Sequence, residues 1–257
     1  MNERFIFPVE YHDYHIKLGG LRKRIASDIS ITPGMHILDV GTGCGYFAID
    51  LAACDPGIRI IGVDGNEGDI ETGKIIIKDL GLESRIDLVK MDMSHLEFPD
   101  ERFDMGVSFL GVEEIYIRYG RSGVESVCKE VFRVVRPGGT FHLVVMPPEK
   151  METEAQKLEM EVYGFIFNVN WMTEQEYSSM LEGIGFRILK KQEYYTGRKL
   201  TPDQAKHELK LACLDIPKIY GIDAPMFQDV WKRYGSRIEK HGLGHCSKVV
   251  RIIAAKI

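Results

Sequence analysis

The chain has 257 residues, 44% of them apolar, and a formal net charge of −5. That length allows one or two domains with a sizeable core, and the mild negative charge argues against a surface devoted primarily to nucleic acid. The longest apolar runs fall short of the ~20 residues that span a bilayer, Met1 to Phe5 lack the apolar core of a signal peptide, and five scattered cysteines with no Cys-x-x-Cys pair speak for a reduced, cytoplasmic protein without a zinc ribbon.

Residues 1–32 read as an N-terminal arm and helix. Tyr11, His12, Tyr14 and His15 form an aromatic, titratable cluster there, and the stretch from His15 to Ile29 has helical character with Arg22, Lys23 and Arg24. Thr32-Pro33-Gly34 then turns the chain. Ile37 to Val40 is an apolar strand that runs into Gly41, Thr42, Gly43, Cys44 and Gly45, and a helix from Tyr46 to Ala53 follows at once. A strand, a tight turn and a helix start in so few residues point backbone N–H groups and a positive helix end at one spot. Bulk at Gly41, Gly43 or Gly45 is expected to block a ligand from the backbone. The dinucleotide fingerprint is Gly-x-Gly-x-x-Gly with pyrophosphate on the helix end. Here the glycines alternate, and Asp39 stands two residues before the first. A carboxylate repels pyrophosphate where water is scarce and suits an ammonium or sulfonium.

A second strand, Arg59 to Val63, ends in Asp64 and Gly65, about twenty residues past the turn, where folds of this kind place an acid on ribose hydroxyls. A third, Ile86 to Lys90, ends in Asp92 and Met93. A fourth, Phe103 to Phe109, is followed by Glu113 and Glu114. Arg133 to Gly139 reads Arg-Val-Val-Arg-Pro-Gly-Gly, a turn before the strand Thr140 to Val145: proline stops a helix and the glycines take the positive φ that re-enters the sheet.

On Asp39, the alternate glycines, Asp64, Asp92 and the Arg133–Gly139 turn, the chain resembles the class I S-adenosylmethionine-dependent methyltransferases over roughly residues 20–195 and the final strand. The resemblance implies an α/β fold: a doubly wound, mostly parallel seven-stranded sheet with its last strand antiparallel beside the fifth, and helices on both faces. It implies S-adenosylmethionine as cofactor, with S-adenosylhomocysteine as product. Asp39 and the turn would hold the methionine moiety and Asp64 the ribose. Asp92 would contact the adenine amino group, with Met93 packed on the ring. Thr42, Gly65 and Phe109 complete the implied cofactor set.

Beyond the core, Glu149 to Met160 reads as a polar helix and Val162 to Trp171 as an aromatic segment. Thr173 to Glu176 is a capping-box pattern opening a helix to Leu181, and Arg187 to Glu193 is a strand. Thr201-Pro202-Asp203 starts a helix to Cys213; Pro217, Gly221 and Pro225 break the chain; Met226 to His241 is another helix; Lys248 to Ile257 is the last strand. The organisation expected is one methyltransferase-like domain: a core at 33–146, the second half of the sheet at 147–199, a helical insertion at 200–243 and the final strand at 244–257. The insertion reads either as a cover over the substrate or as a packing appendage or homodimer surface.

The acceptor is less legible. After the fourth strand, where family members face the methyl group, no Asn/Asp-Pro-Pro-Tyr/Phe appears, which disfavours amino groups of nucleic-acid bases. A small-molecule acceptor is the first reading. An RNA or protein methyltransferase and a non-catalytic cofactor binder are alternatives. Glu113 reads either as a base or as a solvated helix start, where acids suit the dipole. His12 and His15 are candidate bases, since histidine titrates near neutrality. Tyr11, Tyr14, Glu113 and Trp171 are candidate substrate contacts. His241, His245 and Cys246 lack a fourth ligand at metal spacing and read as a loop into the last strand.

Overall fold

The computed structural model describes residues 18–257. The elements that follow the N-terminal arm are α1 (Gly19–Ser27), β1 (His36–Val40), α2 (Tyr46–Ala52), β2 (Arg59–Asp64), α3 (Glu67–Asp79), β3 (Ile86–Lys90), β4 (Phe103–Phe109), α4 (Gly111–Val134) and β5 (Val135–Val145). The second half contains α5 (Glu154–Phe167), α6 (Glu174–Ile184), β6 (Phe186–Tyr195), β7 (Lys199–Leu200), α7 (Pro202–Tyr220), α8 (Phe227–His241), β8 (Leu243–Gly244) and β9 (Lys248–Lys256). Seven strands form one sheet in the order β3-β2-β1-β4-β5-β9-β6, parallel except for β9, with helices on both faces. This is the doubly wound α/β sheet expected from the alternation of strands and helices. β7 and β8 form a separate two-stranded ladder, antiparallel, which was not expected.

The chain divides into two compact units, one of residues 18–145, 178–192 and 251–257, the other of 146–177 and 193–250. In the first, strands buried on both faces supply the core: Ile37 and Leu38 of β1, Ile60 and Val63 of β2, Leu88 of β3, Val107 of β4, and Phe141 and Leu143 of β5 are all buried. Near-continuous apolar runs of this kind are what a parallel sheet covered on both sides requires. In register, Asp39 lies opposite Gly62 of β2 and Val107 of β4, so β1 is central and its carboxyl end is flanked on both sides.

Helix α1 is held to this unit by buried charge. Arg22 donates from Nε to Asp50 of α2 at 2.9 Å, both side chains being buried. Arg251 of β9, 1% exposed, donates to the carbonyls of Ile25 and Asp28 at 3.3 and 3.1 Å and to Gln192 Oε1 at 2.9 Å. Ile25 and Asp28 lie at the C-terminal end of α1, where carbonyls lack helical partners and a cation is favourable. Arg251→Met is expected to lower the free energy of unfolding by about 2 kcal/mol, because buried carbonyls lose a charged donor. Urea denaturation checks this; a change within experimental error would mean that the guanidinium does not anchor the helix.

The second unit is helical. Leu158, Val162 and Ile166 of α5, Leu209 and Ile216 of α7, and Val230, Tyr234 and Ile238 of α8 make one buried cluster. Their spacing of four or seven puts each set on one helix face.

Several boundaries differ from the sequence reading. The helix expected from Glu149 begins at Glu154, after a short 3-10 turn at Pro148–Lys150, and runs through the aromatic segment to Phe167. Its start is fixed by a capping box in which Thr153 and Gln156 bond reciprocally. The helix from Pro202 does not stop at Cys213 but passes Pro217 and ends at Tyr220, with Gly221 left-handed beyond it. Proline removes one i→i−4 bond here, in the last turn, while burial of Ile216 keeps that turn folded. β5 starts at Val135, inside the expected turn: Val135 pairs with Phe103, and the register is then irregular before Thr140 pairs with Met105. Residues 136–139 therefore bulge rather than precede the strand.

Candidate functional site

The carboxyl ends of β1, β2, β3 and β4 converge on the glycine turn, the place where open α/β sheets bind ligands. The turn has its own wiring. The amides of Gly41 and Thr42 donate to the Val63 carbonyl at 3.0 and 3.1 Å, and that of Gly45 donates to the Thr42 carbonyl at 2.9 Å. Gly43 N–H donates to Asp64 Oδ2 at 2.9 Å. Most of the turn's amides are thus used inside the protein. The expectation that they point outward as a ligand cradle is corrected: the residues beside the turn supply acceptors, and the amides turn to them.

Gly41, Gly43 and Gly45 are left-handed, with φ of 70°, 53° and 78°. They are not equivalent. A Cβ at Gly41 would lie 2.7 Å from the Cα of Gly111 at the start of α4, and one at Gly45 would meet the Leu88 side chain at 3.1 Å. A Cβ at Gly43 would meet nothing within 4 Å. Gly41 and Gly45 are therefore glycines for internal packing. Only Gly43 borders open space, which corrects the expectation that all three clear room for a ligand.

Three carboxyls wall this turn. Thr42 Oγ1 donates to Asp39 Oδ2 at 2.7 Å, Gly43 N–H to Asp64 as above, and the Cys44 thiol to Asp69 Oδ1 at 3.5 Å. Three successive residues are thus each bonded to a different acid, from β1, β2 and α3. Asp39 is 1% exposed, and its Oδ1 has no hydrogen-bond partner among the described residues. Burial pushes its carboxyl up to about 7, against the Thr42 bond that lowers it. Burial also raises Asp64, whose Oδ1 accepts from Asn66 N–H at 2.8 Å. Asp69, buried in the first turn of α3, is pushed up to about 8 by desolvation and by the charges of Asp64 and Glu114, with Arg118 opposing. The Cys44 thiol is raised by burial and by Asp69, so it is a protonated donor rather than a nucleophile. Sequence reasoning missed Asp69 because an acid in a first helical turn is ordinary.

The remaining predicted residues sit as follows. Asp92 is exposed just past β3 and accepts from Ser94 N–H and Oγ at 2.9 and 2.7 Å, which hold it below the usual carboxylate range. Met93 is half-buried and Gly65 exposed. Met91 N–H donates to the Asp64 carbonyl at 3.0 Å, tying the ends of β2 and β3 together. The Phe109 ring packs on Phe47 of α2, centroids 5.4 Å apart. After it, Leu110 takes a left-handed φ of 61°, unusual for leucine, with its N–H on the Val144 carbonyl at 3.0 Å. Glu113 is 7% exposed, so the solvated helix start expected for it is corrected: the close approach of Gly111 to Gly41 brings this first turn of α4 into the interior. Trp171 lies in the second unit, where its indole N–H donates to the Met160 carbonyl at 2.9 Å and its ring packs edge-on against Phe167. Tyr11, His12, Tyr14 and His15 lie outside the described residues.

The fit of this site to a ligand can be read from its chemistry. A turn walled by three carboxyls, with its amides mostly used internally, repels phosphate and suits a ligand that carries positive charge and hydroxyl or amino donors. Asp39 Oδ1, buried and without a partner among the described residues, has room for the donor that such a ligand brings.

Comparison with known proteins agrees. Residues 37–139 match a family model described as a methyltransferase domain. A sterol 24-C-methyltransferase of Yarrowia lipolytica is 31% identical over 169 residues, covering 64% of this chain and 42% of that protein. One of Eremothecium gossypii is 32% identical over 139 residues, covering 54% and 33%. The aligned region thus spans less than half the length of these relatives. Among solved structures, the [4+2]-cyclase SpnF aligns with a TM-score of 0.62 at 21% identity, covering 93% of this chain and 80% of that one. A putative methyltransferase from Bacillus halodurans aligns at 0.61 and 19%, covering 93% and 98%. At these identities the structures speak for the fold. Residues 37–139 thus match a methyltransferase domain, and the seven-stranded sheet built around them has the fold of solved neighbours that include a putative methyltransferase.

Proposed function

We propose that this protein transfers a methyl group from S-adenosylmethionine to a small-molecule acceptor. The observation that carries the proposal is the set of acids at the ends of β1, β2 and β3 around a turn with little left to offer a phosphate. Asp39, with the turn at Gly43, holds the methionine moiety, its Oδ1, which has no partner among the described residues, taking a donor from the ligand, while Gly41, Thr42 and Gly45 shape the turn from within. Asp64, beside Gly65, accepts from the ribose hydroxyls; its backbone bonds fix both oxygens in place and leave each a further lone pair. Asp92, kept ionised by Ser94, accepts from the adenine amino group, and Met93 covers the ring. Phe109 and the first turn of α4 border the methyl position.

When bound, the cofactor supplies a methyl group on a sulfonium: the acceptor's electron pair forms the new bond to carbon as the carbon–sulfur bond breaks and its pair returns to sulfur. The protein aligns the partners and excludes water. Glu113, buried beside this position, is the described residue we assign as a candidate base.

The curated relatives are named for sterols, so sterols head the acceptor panel. The net charge of −5 supports a small acceptor over RNA. Among the described residues no helix is long and apolar enough to cross a membrane. A reducing, cytoplasmic setting is part of the proposal, supported by five cysteines that remain free thiols.

The test is label transfer. Incubated with methyl-labelled S-adenosylmethionine, the protein is expected to label at least one sterol or other small acceptor. Labelling of RNA or protein alone would overturn the small-molecule reading. Tight cofactor binding with no transfer to any acceptor would point to a cofactor-binding protein; a fold shared with a cyclase makes that arm necessary.

A further inference from the structure

The second unit holds a cleft of about 270 Å³ between the first turn of α5, the join of β6 to β7 and His241 at the end of α8. All of its lining residues belong to that unit, whereas the cofactor residues assigned above belong to the first. Arg198, Lys199 and His241 supply its basic side chains.

The backbone holds these three in place. Thr196 Oγ1 donates to the Cys246 carbonyl at 3.1 Å and accepts from Arg198 N–H at 3.2 Å, and Thr196 N–H donates to the Ser247 carbonyl at 2.9 Å. Gly197 is left-handed at φ 67°, with the Tyr195 ring 3.4 Å from where a Cβ would stand. Lys199 pairs with Gly244 in the β7–β8 ladder. A Cβ at Gly242, the residue after His241, would lie 3.3 Å from Lys199 Cδ, so the end of α8 is seated against that lysine.

Glu154 is the acid of the lining, and it is already answered: Arg237 donates to its Oε1 from Nε at 2.8 Å and from Nη2 at 2.5 Å. Arg237 also holds Glu161, which does not line the cleft. Buried Glu159 accepts from Cys246 N–H at 2.5 Å and from Ser247 Oγ at 3.1 Å, and the charge of Arg198 favours its ionised form. Arg198 is thus shared with an acid outside the lining, while Lys199 and protonated His241 give the lining a positive surplus. The Thr153 hydroxyl accepts from Gln156 N–H at 3.3 Å and keeps its own proton to donate.

We propose that this cleft binds a small molecule bearing a phosphate monoester, held by Arg198 and Lys199, with His241 and the Thr153 hydroxyl completing the set. A guanidinium meets two phosphate oxygens at once, and an ammonium adds a compact charge. The volume lies just below the roughly 300–1,000 Å³ of drug-sized pockets, which suits a phosphate carrying a small organic group. The ring of Tyr195, 57% exposed, walls the space for that group. The proposal adds a second ligand, on residues that take no part in the cofactor assignment.

Calorimetry on the full chain tests it, with phenyl phosphate as the probe and phenol as the control. Saturable 1:1 binding of phenyl phosphate is expected, unchanged by S-adenosylmethionine, with none for phenol. Arg198→Gln and Lys199→Gln are each expected to weaken it about tenfold, the loss of one charge-assisted contact. Lys232→Gln, at an exposed lysine of the same unit that does not line the cleft, leaves it unchanged. The absence of saturable binding would overturn the proposal, as would equal weakening by Lys199→Gln and Lys232→Gln. Displacement of the probe by S-adenosylmethionine would also overturn it, because the probe would then occupy the cofactor site. Lys199 is exposed, so its variant decides the matter even if Arg198→Gln does not fold. The methyltransferase reading stands or falls separately, by label transfer.

Discussion

Asp64→Ala is expected to weaken S-adenosylmethionine binding at least tenfold. In the proposed assignment the carboxylate meets two ribose hydroxyls, and bonds to an ionised acceptor are about twice as strong as neutral ones. The structure adds a second loss. Asp64 also accepts from Gly43 and Asn66 N–H at 2.9 and 2.8 Å, so alanine leaves two amides of the site without their acceptor. Each unsatisfied group costs about 1–3 kcal/mol if water does not reach it. Asp64→Asn separates the two effects, because its amide oxygen can still accept from a backbone N–H while the charge is gone. The expected order of affinity is wild type, then asparagine, then alanine, measured by calorimetry. Unchanged affinity in the alanine variant would sink the ribose assignment.

Gly41→Ala is expected to destabilise the fold by about 3 kcal/mol, combining overpacking with a left-handed residue that bears a side chain. The new Cβ would meet Gly111 Cα at 2.7 Å and its carbonyl carbon at 3.2 Å, both backbone atoms that cannot swing away. Relief would have to push α4 off β1, and with it Glu113 and the Leu110 turn. Gly43→Ala is the contrast. It carries only the conformational cost of φ 53°, about 1–2 kcal/mol, since its Cβ has open space. Its larger effect is expected on cofactor binding, because the proposed site puts the ligand in that space. Thermal and urea unfolding of the two variants checks the order. Equal destabilisation would contradict the distinction between a packing glycine and a ligand-facing one.

Much of the candidate site was legible because its acids stand at the carboxyl ends of strands, which sequence pattern locates well: Asp39 is the penultimate residue of β1, Asp64 the last of β2, and Asp92 lies two residues past β3. Asp69 carried no such mark. Its role comes from α3 lying against the turn, a contact between residues 44 and 69 that no local pattern announces. The reason for Gly41 was hidden in the same way, since Gly111 is seventy residues distant in sequence and arrives by the β1–β4 pairing.

The second unit shows the opposite balance. Thr153 and Gln156 form a capping box of the kind recognised at Thr173, and Thr201 with Gln204 forms another, so the start of α5 was available to a closer reading. The far end of α7 was not. Proline usually stops a helix, and what carries this one past Pro217 is the burial of Ile216 in a cluster drawn from three helices. Tertiary packing overrides a local signal there.

The most direct test of the central claim is equilibrium binding to the full chain. S-adenosylmethionine and NAD are titrated separately into the protein, and heat and thermal stabilisation are recorded. A ligand that binds only the folded state raises its melting temperature with concentration. Saturable 1:1 binding of S-adenosylmethionine, with stabilisation that NAD does not give, is the predicted result. Stabilisation by NAD, with no response to S-adenosylmethionine, would contradict the account.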